Sequence, residues 1–322
     1  MANGKVLRQI IKAGIAGDQN AFKRVSEAII QEERQKQHHL LANDLEKILY
    51  GANQKHIHNA SSLPESPKDK ERGFDLLDIK QPSRSIDELV VGEKASHHLQ
   101  DFIEEHRRSD VLKSYGLKAS DKTIFFGPPG CGKTLAAEVV AYELDRPLAI
   151  VRLDALVSSF LGETASNLRV IFEYISNTEM VVLFDEFDAI GKERGDSGEH
   201  GELRRVVNAV LQMMDAYSGK SIILAATNHE KILDTAIWRR FDEAIFFGLP
   251  GEKEVCEILR LKLRGVRRQF EVSDPGIISL FKMKSGADIE RVLRRSIKKM
   301  ILKNKEFLSI ADIKSAIERE YS

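Results

Sequence analysis

Ile124-Phe125-Phe126-Gly127-Pro128-Pro129-Gly130-Cys131-Gly132-Lys133-Thr134 is the stretch on which the reading of this chain turns. An apolar run of aromatic and β-branched residues enters a glycine-rich loop, and Leu135-Ala136-Ala137-Glu138 continues it with good helix formers. The order is therefore strand, loop, helix. Gly127, Gly130 and Gly132 permit a tight turn in which consecutive N–H groups point at one anion, and the following helix adds the positive end of its dipole. This is the spacing of a phosphate-binding loop, in which Lys133 would reach the β- and γ-phosphates and Thr134 would give its hydroxyl to Mg²⁺. Gly127, Pro128, Pro129, Gly130, Cys131, Gly132, Lys133, Thr134 and Leu135 form the candidate nucleotide-binding set, with Cys131 acting as a small residue. A chance Lys-Thr after a glycine turn would not need the strand before it or the helix after it.

The chain around this loop has 322 residues and is 42% hydrophobic, enough for a large domain with an appendage. Lys plus Arg and Asp plus Glu balance at 49 each, so no net field draws it to nucleic acid or an anionic membrane. Two cysteines, Cys131 and Cys256, exclude a disulfide scaffold and suit a reducing compartment. Lys12 interrupts the apolar run near the N-terminus and no later run approaches a membrane span, so the expected location is the cytoplasm.

Residues 1–50 follow a helical period, with Val6, Leu7, Ile10 and Ile11 on one face and Phe22, Val25 and Ile29 resuming it after Gly17-Asp18. They are expected to form a small helical domain. The His38-His39 pair, His56 and His58 lack Cys or carboxylate partners at ligand spacing and read as solvated. Residues 51–85 shift to Ser, Pro, Asn and charge and read as a linker, in which Phe74, Leu76, Leu77 and Ile79 have no assigned contact. Within 86–250, apolar runs at Thr123 to Phe126, Leu148 to Val151, Met180 to Phe184, Ile222 to Ala226 and Ala244 to Phe247 alternate with helical segments. This predicts an α/β domain with a five-stranded parallel sheet. Strand signals stop after Leu249-Pro250-Gly251, and residues 251–322 read as a small helical domain.

Val181-Val182-Leu183-Phe184-Asp185-Glu186 is a buried strand ending in two carboxylates. Beside the phosphate-loop strand, Asp185 would hold Mg²⁺ and Glu186 would accept a proton from attacking water. With these motifs in this order, the chain from Ile86 onward resembles the AAA ATPase family, whose fold is the P-loop NTPase. The resemblance implies that Ala225-Ala226-Thr227-Asn228 is a sensor strand whose Asn228 orients the lytic water. It implies that Leu233-Asp234-Thr235-Ala236-Ile237-Trp238-Arg239-Arg240-Phe241-Asp242 is the second region of homology, whose arginines reach a neighbouring subunit's γ-phosphate. Many members carry a Pro-Gly insert there and this chain does not, so the choice of finger between Arg239 and Arg240 stays open.

By the same resemblance, Phe160-Leu161-Gly162 is a pore loop that grips a polypeptide, with burial of Phe160 in the core as the competing reading. Glu199-His200-Gly201-Glu202 stands where a second pore loop would be, Gly286-Ala287 would pack near adenine, and Val91-Gly92 would meet the base from the other side. Gly195-Asp196-Ser197-Gly198 spells the tetrapeptide of a serine nucleophile but has no plausible His and Asp partners. No His-Glu-x-x-His follows the ATPase module, which sets aside the branch of the family that carries a zinc protease on the same chain. The resemblance implies an ATP hydrolase using ATP and Mg²⁺, assembled as a homo-hexamer, that unfolds, threads or dismantles a protein substrate. The alternative is a nucleotide-gated regulator or scaffold for a separately encoded partner enzyme.

Overall fold

The structure, a computed structural model, describes residues 22, 25–30, 63–69, 73–152, 163–190, 209–230 and 235–321. The chain divides into two compact units, Met1–Ser62 and Leu63–Ser322. In the first unit, residues 25–30 are helical, Ile30 is buried, and the Ser26 hydroxyl donates to the Phe22 carbonyl at 2.8 Å. The rest of the N-terminal helical pattern, and His38, His39, His56 and His58, lie outside the described residues.

The second unit is built on a sheet. Its strands are β1 (Leu77–Lys80), β2 (Lys122–Phe126), β3 (Leu148–Val151), β4 (Val181–Phe184), β5 (Ile222–Thr227) and β6 (Glu243–Phe246), in the spatial order β1-β3-β4-β5-β2-β6. The sheet has six strands where five were expected. The five expected ones pair in parallel, and β1 is added antiparallel to β3 with Leu77 opposite Val151. It comes from the segment read as linker. Leu76 and Leu77 are buried, and Ser66 brackets the strand by accepting from the Leu77 N–H at 3.1 Å and donating to its carbonyl at 2.8 Å.

Side chains alternate along each strand, and both faces are covered, which is why these runs are apolar throughout. On one face, Ile124, Val182, Phe184, Ile223 and Ala225 pack under helix α4 (Glu163–Asn177) and helix α5 (209–216). On the other, Phe125, Val181, Leu183, Leu224 and Ala226 pack under α1 (Glu93–Arg107) and α3 (Lys133–Glu143). The short α2 (Ser109–Ser114) follows α1, and α6 (Thr235–Trp238) precedes β6. After β6, helices α7 (Glu252–Lys262), α8 (Pro275–Leu280), α9 (Gly286–Leu302) and α10 (Ile310–Tyr321) share a separate core around Leu259, Phe281, Val292, Leu293 and Ile313.

From β2 the chain passes β5 and β4 to reach β3, then returns, and β6 closes on the opposite side of β2. The loop after β2 thus opens where the strand order reverses, the usual place for a ligand in an open α/β sheet. No helix among the described residues is long and apolar enough to cross a membrane.

Candidate active site

The loop between β2 and α3 is held tightly by its surroundings. Gly127, Gly130 and Gly132 have φ of +138°, +73° and +95°, conformations that L side chains rarely adopt. Space forbids side chains at the first two as well. A Cβ on Gly127 would stand 2.1 Å from the Phe247 carbonyl oxygen, and one on Gly130 would stand 2.6 Å from the Ser285 hydroxyl and 2.9 Å from the Ala287 Cβ. The Ala287 N–H donates to the Gly130 carbonyl at 3.0 Å, so the start of α9 rests directly on the loop.

Lys133 opens α3, yet its ammonium turns back and donates to the carbonyls of Gly127 and Pro128, both at 2.8 Å. Burial holds its pKa below the ordinary lysine value, with the charges of Asp185 and Asp188 among those opposing the shift. Thr134 donates its hydroxyl to Asp185 Oδ2 at 2.8 Å. A hydroxyl and a carboxylate oxygen therefore converge at the end of β4, the hard donors that Mg²⁺ takes alongside phosphate oxygens and water. Glu186 follows in the left-handed region at φ +50°, a strained conformation for a glutamate, and its N–H donates to Asp185 Oδ1 at 2.9 Å. The turn leaves Glu186 exposed over the pocket while Phe187 goes into the core.

Asp188 is the residue that the sequence reading missed. It is buried and accepts from the Thr227 hydroxyl and the Asn228 N–H, each at 3.2 Å, with His229 Nε2 at 3.9 Å from its other oxygen. Burial acts to raise its pKa, but those hydrogen bonds and the charge of His229 outweigh it, and the carboxyl lies below its ordinary value. It fastens the end of β5, and with it Asn228, to the turn after β4. Its only signal in the sequence is its place three residues after Asp185.

Lys133, Thr134, Asp185, Glu186 and Asn228 line one cavity of about 400 Å³, while Gly127, Pro128 and Asp188 lie outside its lining. Gly130, Lys133, Thr134, Asp185, Glu186 and Asn228 surround one end; Leu89, Val91, Gly92, Ile258, Leu261, Gly286 and Ala287 make the more apolar remainder, rimmed by Lys262 and Glu290. Lys262 and Glu290 join α7 to α9 by an ion pair at 2.7 Å. Among the described residues no cluster of three or more His, Cys, Asp or Glu is placed to hold a metal.

The family model for "ATPase family associated with various cellular activities (AAA)" matches residues 123–249. An uncharacterized AAA family ATPase of Sinorhizobium fredii is 39% identical over 321 residues, covering 99% of this chain and 96% of that protein. This chain belongs to the AAA ATPase family. The ATP-dependent zinc metalloprotease FtsH 2 of Petrotoga mobilis is 30% identical over 75% of this AAA chain, which spans 40% of that protein. The proteasome-activating nucleotidase of Thermococcus onnurineus is 32% identical over 80% of the chain and 66% of the relative.

The remaining site residues of this AAA chain fall into two groups. Arg239 and Arg240 lie just after α6, away from the pocket lining, with Arg239 exposed and Arg240 Nε donating to Asp215 Oδ2 at 3.0 Å. Phe160, Leu161 and Gly162, the loop at Glu199 to Glu202, the tetrapeptide at Gly195 to Gly198, and Leu233 and Asp234 lie outside the described residues.

Proposed function

We propose that this chain is a Mg·ATP hydrolase that works in a ring, expected to be a homo-hexamer, and uses turnover to unfold, thread or dismantle a protein substrate. The observation that carries the catalytic part is the convergence of Lys133, the Thr134–Asp185 pair, Glu186 and Asn228 on one cavity beneath a glycine loop shaped to cradle phosphate. In this reading Lys133 exchanges its two loop carbonyls for phosphate oxygens, and the α3 N-terminus adds its dipole to the same charge. Thr134 and Asp185 would hold Mg²⁺, which supplies neutralisation of the phosphate charge. Glu186 takes the proton of the attacking water, Asn228 orients that water, and Asp188 keeps the two elements in register. Val91 and Gly92 on one side and Gly286 and Ala287 on the other receive the base.

Action on a protein substrate is supported by the relatives, one named as a protease and one as a proteasome activator. The second name also favours the version in which a separately encoded protease is the partner. Residues 1–50 are proposed as a recruitment module, residues 86–250 and 251–322 as the motor's two parts, and the cytoplasm as its place of action. No nucleic acid or membrane partner is proposed.

The decisive experiment pairs two variants. Lys133→Ala should lose nucleotide binding, whereas Glu186→Gln should bind ATP and turn it over slowly, because the lysine neutralises charge while the carboxylate handles the proton. Near-normal turnover by Glu186→Gln would remove it as the base. ATP-dependent unfolding of a tagged model protein then separates an unfoldase from a regulator that only switches binding.

A further inference from the structure

We propose that Glu138 and Glu143 on α3 are positioning residues for nucleotide affinity: they tether residues 83–86 to the helix that starts at the phosphate loop, and so hold residues 89–92 in place as one wall of the base end. The assignment rests on the reading of that end given above. It follows from what grips the segment between β1 and α1.

The segment has one 3₁₀ turn, Ile86–Glu88, and its apolar side chains go to two different cores. Ile86, Leu89 and Val91 pack against the cluster that holds Ala136, Ala137 and Val140 of α3, whereas Val90 packs against the core of the four C-terminal helices. Leu89 is extended, at φ −99° and ψ 112°, so that successive side chains point to opposite sides. Residues 89–91 therefore stand between the two cores, and packing alone does not decide which they follow.

Hydrogen bonds to α3 decide it. The Ser83 N–H and hydroxyl both donate to Glu138 Oε1 at 3.2 Å, and the Ile86 N–H donates to Glu143 Oε1 at 3.1 Å. Each acceptor is a carboxylate, which strengthens the bond. Glu143 is the last residue of α3, where a negative charge opposes the helix dipole. Its partners offset that cost, since Arg107 at the end of α1 also donates to Glu143 Oε2 at 2.7 Å. The chain is thus fastened to α3 before the wall and again at the far end of α1. The wall itself reaches the loop: a Cβ on Gly132 would lie 3.5 Å from a Leu89 methyl and 3.9 Å from one of Val91. Residues 89–92 then move with the phosphate loop, while the opposite wall, Gly286 and Ala287, is carried by α9.

The test compares two ligands on the full chain: ATP, which uses both ends of the cavity, and inorganic tripolyphosphate, which uses only the phosphate end. Glu138→Ala should weaken ATP binding about tenfold, the lower end for loss of hydrogen bonds to a charged group, and leave tripolyphosphate within about twofold. Glu138→Gln keeps an oxygen for both Ser83 donors and should retain ATP affinity to within about threefold. Ser83→Ala removes one of the two donors at an exposed position, where folding is not at risk, and should weaken ATP about threefold. Glu143→Ala should show the same split between ligands, with a further loss of stability because Arg107 loses its carboxylate. In turnover, these variants should raise KM more than they lower kcat, since the wall serves ground and transition states alike.

Parallel losses of ATP and tripolyphosphate affinity in Glu138→Ala would mean that Glu138 acts on the phosphate loop or on the fold as a whole. Unchanged ATP affinity would mean that it holds nothing, and a Gln variant as weak as the Ala one would place the effect in the charge. Each of these overturns the assignment while leaving the pocket as read. A parent chain that binds ATP no more tightly than tripolyphosphate would instead remove the base end itself, and the assignment with it.

Discussion

Replacing Asp188 by alanine tests whether the turn after β4 and the end of β5 act as one unit. Asp188 is 4% exposed, and the same oxygen receives the Thr227 hydroxyl and the Asn228 N–H, each at 3.2 Å. Thr227 is fully buried, so its hydroxyl has no water to turn to; Asn228 is only half-buried and regains part of its loss from solvent. A buried donor left unsatisfied costs roughly 1–3 kcal/mol, which gives about 2–4 kcal/mol for the whole substitution. Asp188→Asn keeps an acceptor oxygen and should cost about half as much.

Stability alone does not test the argument, because the same substitution should free Asn228 from its register with Glu186. Turnover should then fall by on the order of 10², the effect of a positioning error, while nucleotide binding through Lys133 persists. Urea unfolding followed by circular dichroism gives the first quantity, ATP turnover the second and nucleotide titration the third. An Asp188→Ala chain within about 0.5 kcal/mol of the parent and within twofold of its turnover would refute the reasoning, since that is the range of a surface substitution without a special role.

Three further outcomes are expected. Phe160→Ala should leave basal ATP turnover within a few fold and abolish substrate-stimulated unfolding; a loss of roughly 3–5 kcal/mol of stability would instead identify Phe160 as core. Asp312 accepts from the Lys305 ammonium at 2.7 Å and the Ser309 hydroxyl at 2.6 Å, and although burial opposes them these contacts bring its pKa from 3.8 to about 2. A depressed carboxylate stabilises the fold above its unfolded pKa and loses that contribution as pH falls through the folded one. Asp312→Asn should therefore cost about 2 kcal/mol at pH 7 and little near pH 2, as read by chemical unfolding across pH. A chain beginning at Leu63 should still assemble and hydrolyse ATP but lose its protein partner in a pull-down, and full retention of the partner would argue against recruitment by the first unit.

That last cut shows where the sequence was legible and where it was not. A boundary after residue 85 follows from composition, because Pro, Ser and mixed charge run up to it. It would delete β1. Leu77–Lys80 has only four residues, and its place is set by pairing with β3 and by Ser66, eleven positions earlier, neither of which leaves a local pattern. The parallel strands were legible because two covered faces demand unbroken apolar runs. Helix α9 was legible because Ile289, Val292, Leu293, Ser296 and Met300 follow one helical face. Lys133, Thr134, Asp185 and Glu186 sit in motifs whose spacing is itself the chemistry. Asp188 and Asp215 do not, since each acts through a contact, 39 to 40 or 25 residues away, that only the folded chain makes.

The same contrast explains the division of the pocket. The end proposed for phosphate hangs from the sheet, through Gly127 against Phe247 and through Asp185 at the end of β4. The end proposed for the base includes Ile258, Leu261 and Ala287, carried by helices with a core of their own. Direct contact between the two sides at the loop is small: the Ala287 N–H on the Gly130 carbonyl, with Ser285 and Ala287 so close that Gly130 has no room for a Cβ. Ser285 and Asp288 cap α9 reciprocally, so its first turn is rigid and any displacement of Gly130 is imposed on the helix as a whole. A ligand in the cavity touches both sides at once and so stabilises one arrangement of the helical part against the sheet in proportion to its affinity for it.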